Sequence, residues 1–137
     1  MFRSVIAVVS GFVVVMVVVI AGTATAAALM IPGGMQAIAN HAASPTPTYL
    51  AANLVVSVMA AVLGGWVAAR MAPSRPMTHV YALAGLMVMM SLPSLLGYGD
   101  TVAMQPDWYR YLLPLVGVGG VLIGGRMRAH AGPPEPV

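Results

Sequence analysis

Four long apolar stretches, separated by segments rich in proline, glycine and polar residues, constrain the fold of this chain most strongly. They run from about residue 5 to 31, 49 to 69, 80 to 97 and 109 to 125. The first three contain no charged residue, and the fourth contains only Arg110, close to its start. An α-helix needs about 20 apolar residues to cross the roughly 30 Å hydrocarbon core of a bilayer. We therefore predict an all-α membrane protein, with four transmembrane helices in an up-down bundle that forms one integral membrane domain over residues 1–137.

The composition agrees with this interpretation and excludes several classes of protein. Hydrophobic residues make up 60% of the chain and charged residues only 7%, whereas a soluble domain carries about 25% charged residues. A soluble enzyme is therefore excluded. The net charge of +3 is not clustered on a basic segment, so no nucleic-acid partner is predicted. Because the chain has no cysteine, disulfides, thiolate zinc sites and iron–sulfur clusters are excluded. We predict no cofactor of any kind.

The first apolar stretch has two interpretations. Arg3 gives a basic N-terminal region, and Ala24, Thr25 and Ala26 resemble the small residues that precede a signal-peptide cleavage site. The apolar run continues to Ile31, however, and is far longer than the core of about 7–15 residues in a typical signal peptide. We therefore expect a retained helix that tilts or extends beyond the hydrocarbon core.

Prolines fall inside the third and fourth stretches. Pro93 should kink its helix and release backbone carbonyl groups near Met89, which Ser91 and Ser94 are close enough to satisfy. We favour a kink filled by packing over a gate or a binding site. Pro114 is expected in the first turns of its helix, where a missing N–H group is least costly.

The arginines predict how the four helices are oriented. If the chain crosses the membrane four times, one side holds only Arg110, together with Asp100 and Asp107. Cytoplasmic loops carry an excess of arginine and lysine, so we predict that both termini are cytoplasmic. Abundant alanine, glycine, valine and proline without lysine are typical of GC-rich bacterial genomes, and we expect a location in the bacterial inner membrane. The arginines on the cytoplasmic side are Arg3, Arg70, Arg75, Arg126 and Arg128.

The ends of the second and fourth helices resemble each other. Residues 64–72 and 119–129 each contain a glycine pair, a short apolar stretch and then Arg-Met, with an offset of one residue. Two helical hairpins related by an axis along the membrane normal would produce this pattern, which is the parallel kind of repeat found in some transporters. A glycine-rich helix ending in arginine is equally expected of any such membrane protein from a GC-rich genome, and the first and third helices show no matching pattern. Both alternatives stay open.

Small residues recur every four positions on these two helices. Such spacing lets helix backbones approach closely, which matters because lipid provides no hydrophobic driving force for helix association. We therefore predict helix contacts along these stripes, either within one bundle or between copies, and a homo-oligomer or a larger membrane complex. The stripes are Ala60, Gly64 and Ala68, then Ala61, Gly65 and Ala69, and finally the pair Gly120 and Gly124.

Residues capable of catalysis or metal binding are scarce. No ionisable residue lies deep in a predicted span, which disfavours proton-coupled transport and haem ligation by histidines. Asp100, Asp107 and His41 on the outer side match no ligand spacing, and we expect one of the aspartates to pair with Arg110. We predict no catalytic or metal-binding residue. The residues expected to form an aromatic belt at this interface are Trp108, Tyr109 and Tyr111.

The arginines at the cytoplasmic edge have two interpretations. Arg70, Arg75, Arg126 and Arg128 lie close to the ends of helices, where they could contact the head groups of anionic lipids. We favour the simpler interpretation, in which they set the topology and extend their charged ends toward water.

Two segments carry a resemblance to other proteins. Residues 64–73 with the following Arg75, Pro76 and His79, and residues 106–109 leading into the glycine-rich last helix, resemble a loose group of small four-helix bacterial membrane proteins of uncharacterised function. The resemblance implies the four-helix fold and brings no catalytic residue with it.

We therefore expect a small polytopic inner-membrane protein without enzymatic activity, acting as an accessory or scaffold component of a membrane assembly, with the lipid bilayer as its immediate partner. The alternative is a small oligomeric transporter or channel. The two hypotheses differ in the placement of Asn53, Ser57, Ser91 and Ser94. If these polar groups face one hydrated cavity, the transporter is favoured, and if they face lipid or separate helix contacts, it is disfavoured.

Overall fold

The computed structural model describes residues 2–98 and 105–131, and all regular secondary structure in these ranges is helical. The all-α prediction is confirmed. Four of the helices are long and apolar enough to cross a membrane, so the described part of the chain has the make-up of a multi-pass membrane protein. The helices are α1 (Phe2–Met30), α2 (Gly34–Ala39), α3 (Pro47–Met71), α4 (Pro76–Leu95) and α5 (Asp107–His130).

Local sequence signals fix where α3 and α4 begin. The hydroxyl oxygen of Thr46 accepts a hydrogen bond from the backbone N–H of Tyr49 at 3.2 Å, which satisfies one of the free donors at the start of α3. Pro47 occupies the first helical position, where its missing N–H group removes no helical hydrogen bond. Pro76 starts α4 in the same way, ahead of the start predicted near residue 80.

The short helix α2 and the end of α5 add to the expected architecture. Gly33 and Gly34 have φ angles of 82° and 60°, a conformation that other residues rarely adopt, and they reverse the chain after α1. As a result, Ile38 of α2 packs into the core. α5 continues past the predicted end near residue 125, so Arg126 and Arg128 lie on its last turns, where cations interact favourably with the free carbonyl groups.

The four long helices form two antiparallel hairpins. In the first hairpin, Gly11 of α1 lies against Ala68 of α3, and Gly22 lies against Val56. Increasing residue numbers in α1 therefore meet decreasing numbers in α3, and the two helices run in opposite directions. The corresponding contacts of the second hairpin are Gly117 with Met87 and Gly125 with Val80.

The two hairpins meet along α3 and α5, which run parallel. Gly120 lies against Ala61, and Gly124 lies against Val62 and Trp66, so residue numbers increase together along the two helices. Consecutive long helices thus alternate in direction, which confirms the up-down bundle. We call the end of the bundle that holds Arg70, Arg75 and Arg126 the Arg70 end, and the opposite end, where α5 begins, the Tyr109 end.

Most of the buried apolar side chains form two clusters, one toward each end of the bundle. The charged side chains of the described residues all lie outside these clusters. At the Tyr109 end, α2 closes the bundle by packing Ile38 against Ile31, Leu50 and Tyr109. Small residues dominate the other cluster, which consists of Ala61, Ala68, Ala69, Val80, Leu83, Ala84 and Val121.

The two internal prolines both lie within helices. α4 continues through Pro93, and the hydroxyl of Ser91 donates to the carbonyl oxygen of Val88, the residue before Met89, at 2.8 Å. Pro114 is not in the first turns of its helix, because α5 already begins at Asp107. Both prolines are therefore interior helix residues; Pro93 is exposed and Pro114 is half-buried.

Candidate functional site

Among the described helices, α3 and α5 approach each other closely at their glycine residues. A Cβ atom placed on Gly124 would overlap with the carbonyl oxygen of Val62, and one placed on Gly65 would overlap with the carbonyl oxygen of Val121. At Gly120 the nearest atoms would be the Ala61 Cβ at 2.8 Å and a carbonyl oxygen of α3 at 3.1 Å. Glycine is therefore required for this distance between the backbones, which places Cα–H groups against carbonyl oxygens.

The two small-residue stripes of α3 face different helices. The stripe of Ala61, Gly65 and Ala69 faces α5 and the core around Val121. The stripe of Ala60, Gly64 and Ala68 faces α1, where the Gly64 Cα lies against Gly11 and Val15. Ala60 and Ala68 are fully buried. All of these contacts form within one chain, and they make α3 the central helix of the bundle.

The similar ends of α3 and α5 lie beside each other, although their environments are not equivalent. The second glycine of each pair, Gly65 and Gly120, faces the other helix. The first glycines differ, because Gly64 packs against α1 whereas a Cβ on Gly119 would have no atom within 4 Å. The two hairpins are thus arranged as the predicted parallel repeat requires, but the matching contact is made by only one glycine of each pair.

Three hydrogen-bonded polar side chains connect α1, α3 and α5 near the Tyr109 end. The hydroxyl of Thr23 donates to Asn53 Oδ1 at 2.6 Å, and Asn53 Nδ2 donates to the hydroxyl of Tyr109 at 2.5 Å. Ser57 does not join these side chains, since its hydroxyl donates to the backbone carbonyl oxygen of Asn53 in its own helix at 2.7 Å. We call Thr23, Asn53 and Tyr109 the polar tie.

The polar tie corrects the predicted aromatic belt. The side chains of Trp108 and Tyr111 are 52% and 57% exposed, as an interfacial residue should be, but Tyr109 is only 1% exposed. It packs edge-to-face against Trp108 at 5.7 Å between ring centroids and points its hydroxyl at Asn53. Tyr109 is therefore a core residue, and its hydroxyl gives the Asn53 amide the polar partner that an amide within a membrane needs. The spacing of Asn53 and Tyr109 in the sequence does not reveal this pairing.

Arg110 joins the start of α5 to the end of α4. Its Nε and Nη2 atoms donate to the carbonyl oxygen of Ser94 at 3.3 and 3.1 Å, and Nη2 also donates to that of Leu95 at 3.3 Å. These carbonyl groups lie in the last turn of α4, and that of Ser94 also accepts a hydrogen bond from the backbone N–H of Gly97 at 3.1 Å. Nη1 donates to Asp107 Oδ1 at 3.1 Å, so the predicted ion pair forms with Asp107. The other candidate, Asp100, lies outside the described residues.

A cavity of about 370 Å³ lies between the helices next to Arg110. Ser57, Ser91 and Ser94 line it together with Arg110, whereas Asn53 does not, because Asn53 belongs to the polar tie. We call this space the Ser91 cavity. The remaining lining is apolar and consists of Phe12, Val15, Met16, Val19, Met87, Met90, Leu113, Pro114 and Gly117.

A second, more open space of about 570 Å³ lies at the Arg70 end, between the first turns of α1 and of α4. We call it the Arg75 groove. Of the four arginines considered as lipid contacts, only Arg75 lines this groove. The Arg70 guanidinium instead lies 5.0 Å from the centre of the Trp66 ring, and Arg126 and Arg128 lie on α5. The residues lining the groove are Ser4, Val5, Val8, Val9, Ser74, Arg75, Thr78, His79 and Ala82.

The described residues contain no group of three or more histidine and carboxylate side chains arranged to hold a metal ion. No protein-family model matches the chain, and no curated protein or solved structure matches it. Its function has to be argued from the helix contacts, the polar tie, the Ser91 cavity and the Arg75 groove.

Proposed function

We propose that this chain is a non-enzymatic, multi-pass protein of the bacterial inner membrane that serves as an accessory or scaffold component of a membrane assembly, with both termini in the cytoplasm. The charge distribution supports the orientation. Arg70, Arg75 and Arg126 lie at one end of the bundle, and Arg110 lies with Asp107 at the other. An excess of arginine marks the cytoplasmic side of a membrane protein.

The use of the polar side chains is the observation that carries the scaffold proposal. The polar tie holds three helices together, and Arg110 donates to the end of α4. These groups are occupied in fixing helix positions, and α3 and α5 are held at backbone contact. Contacts of this kind hold α1, α3 and α5 in fixed positions, which suits a protein that positions others.

The outer face of α1 offers a place to test for a protein neighbour. Val9, Val13, Val17 and Ile20 follow one another at helical spacing, and all are exposed. A photoreactive amino acid at Val17, which is 60% exposed, should crosslink in native membranes to one defined protein of another sequence. Val15 provides the matched control, because it is 5% exposed and packs against Gly64, and the same amino acid there should yield no crosslink between chains.

Three results separate the hypotheses. A reproducible, stoichiometric partner from Val17 supports the scaffold proposal, particularly if the same protein copurifies from mild detergent. Crosslinks to lipid alone, together with a monomer in native membranes, contradict it. Crosslinks only between copies of this chain favour the second candidate function, which requires an oligomer.

The second candidate is a small oligomeric transporter or channel, and the Ser91 cavity is the observation that favours it. Three of the four polar residues expected to distinguish the hypotheses line this one space, and a guanidinium lies beside them. The exception is Asn53, whose amide is already occupied in the polar tie. Hydration of the Ser91 cavity is therefore the property to measure.

The absence of cysteine from the sequence makes that measurement direct. A single cysteine at Ser91 or Ser57 should react with a charged, membrane-impermeant thiol reagent if the cavity contains water. A cysteine at Leu115, an exposed position of α5 outside the cavity, gives the reference rate. Rates at least tenfold above that of Leu115 would support the transporter, and equal rates would contradict it.

A further inference from the structure

We propose that the Arg75 groove binds an anionic phospholipid of the leaflet at the Arg70 end, with the lipid phosphate held by Arg75 and the neighbouring hydroxyl groups and one acyl chain lying along α1. The proposal requires only that the bundle is inserted in a membrane, and it is independent of the scaffold and transporter hypotheses. It concerns one defined groove rather than the general attraction of basic residues for a membrane surface.

The charge of Arg75 is the first argument. Its side chain is exposed and forms no hydrogen bond or ion pair with any described residue. Asp107, the one acidic side chain among the described residues, lies at the opposite end and pairs with Arg110. No described residue therefore neutralises the charge at the groove, and the planar guanidinium of arginine matches the geometry of a phosphate, which it can bind through two parallel hydrogen bonds.

Hydroxyl groups surround the same position. Ser4 reaches the groove from α1, Ser74 from the turn after α3, and Thr78 from the first turns of α4. None of these three hydroxyls is bonded to another described residue, and each can donate one hydrogen bond to a phosphate oxygen. His79 lies in the same wall, where its Nδ1 atom is 3.4 Å from the carbonyl oxygen of Arg75. Hydroxyl donors from α1, from α4 and from the turn between α3 and α4 thus line one space.

The apolar part of the groove indicates a lipid rather than a free phosphate ion. Val5, Val8 and Val9 of α1 and Ala82 of α4 line the groove beyond the polar groups. Val5 and Val9 are exposed, and the exposed surface continues along α1 to Val13. A soluble anion would leave this surface uncovered, whereas an acyl chain attached to the phosphate would cover it. Basic residues above an apolar surface at a membrane edge are the arrangement that binds anionic lipid head groups.

Arg126 is a suitable control for Arg75. It carries the same charge at the same end of the bundle, it is exposed, and it does not line the groove. If binding reflects only the positive surface, replacing either arginine should have the same effect. If the groove is a site, only Arg75 should matter.

The substitution at position 75 is chosen to change the charge and leave the backbone as it is. Arg75 has a φ of 45° and precedes Pro76, so replacement by glycine would relieve the cost of this left-handed conformation. Arg75→Gln keeps a long side chain and the same conformational cost, but it removes the charge. Arg75→Lys keeps the charge and removes the planar group that binds two phosphate oxygens.

The test is native mass spectrometry of the full chain released from detergent micelles containing phosphatidylglycerol or phosphatidylcholine. The wild-type chain should retain one phosphatidylglycerol with at least tenfold preference over phosphatidylcholine. Arg75→Gln should weaken this binding about tenfold, the effect of losing a hydrogen-bonded charge pair. Thr78→Val should weaken it severalfold and Arg75→Lys should give an intermediate value, while Arg126→Gln should leave it unchanged. The melting temperature of each variant, measured without added lipid, is the control that it is folded.

Three outcomes would overturn the proposal. Equal losses for Arg75→Gln and Arg126→Gln would show a general surface effect. Equal retention of phosphatidylcholine and phosphatidylglycerol would show that the net negative charge of the head group is not recognised. Complete displacement of the lipid by millimolar inorganic phosphate would show a site for a free anion. Because Thr78→Val removes a single exposed hydroxyl, it tests the groove even if a change at Arg75 disturbs the start of α4.

Discussion

The helix α5 makes two unlike contacts, one with α3 and one with α4. Toward α3, glycines bring the two backbones together and leave no room for a side chain at Gly65 or Gly124. Toward α4, the contact contains methionine, the interior proline of α5 and the Ser91 cavity. In a membrane, where water does not drive helices together, dispersion contacts at close range provide much of the attraction. The comparison indicates that the α3–α5 contact carries the stability and that the α4–α5 contact is the adaptable one.

The largest effect is expected from Gly124→Ala. The new methyl group would overlap with the carbonyl oxygen of Val62 and meet the backbone nitrogen of Trp66 at 3.0 Å, and neither backbone atom can turn aside as a side chain would. We expect a loss of about 3 kcal/mol in the free energy of unfolding, the upper end of the usual cost of overpacking. Reversible unfolding in mixed micelles measures this loss.

Gly119→Ala is the matched control for this substitution. It places the same methyl group on the same helix, where no atom lies within 4 Å. Alanine favours the helical conformation over glycine by about 1 kcal/mol, so the variant should be as stable as the wild type or more stable. Equal destabilisation by the two substitutions would show that α3 and α5 are not in backbone contact.

A smaller effect is expected at the polar tie, where side chains rather than backbones connect the helices. Tyr109→Phe removes the acceptor for Asn53 Nδ2 and leaves a partly buried amide donor without this partner. Hydrogen bonds between membrane helices contribute about 0.6 kcal/mol on average and up to about 1.7 kcal/mol. We expect a loss of about 1 kcal/mol in the unfolding free energy, measured by the same unfolding experiment.

The control for the polar tie is Tyr111→Phe, two residues further along α5. Tyr111 is exposed and its hydroxyl forms no hydrogen bond with the described residues, so this variant should unfold like the wild type. Thr23→Val should also destabilise the bundle, and the double variant with Tyr109→Phe should show non-additive losses, because both bonds end on the Asn53 amide. Strict additivity would mean that the two bonds do not act as a unit.

The fold could be predicted because its main signals are local. Runs of apolar residues define helices in a bilayer, and the spacing of small residues marks the faces that can approach closely. Thr46 with Pro47, and Pro76, are likewise local signals for the start of a helix. The sequence does not reveal which helix each stripe faces. That depends on the positions that α1 and α5 take around α3.

The polar contacts could not be predicted because they join groups that are distant in the sequence. Asn53 and Tyr109 are 56 positions apart in the sequence, and nothing in their spacing indicates that the tyrosine turns inward. Arg110 was expected to pair with an aspartate, but most of its hydrogen bonds go to backbone carbonyl groups at the end of α4, which the sequence does not display. The Arg75 groove likewise combines residues from the first turns of two helices that are separated by α2 and α3.

The smallest effect is expected from Gly117→Ala, which tests the other side of α5. A methyl group here would meet only the terminal Cε atom of Met87, at 3.2 Å. A methionine side chain has three rotatable bonds and adapts to a changed surface, and the Ser91 cavity next to it offers space. We expect a change in the free energy of unfolding within about 0.5 kcal/mol, since the small steric cost is offset by the better helix propensity of alanine. The two substitutions, Gly117→Ala and Gly124→Ala, add the same atom to the same helix two turns apart. A loss at Gly117 as large as that at Gly124 would mean that α4 is packed as rigidly as α3, and the distinction between the two contacts of α5 would be wrong.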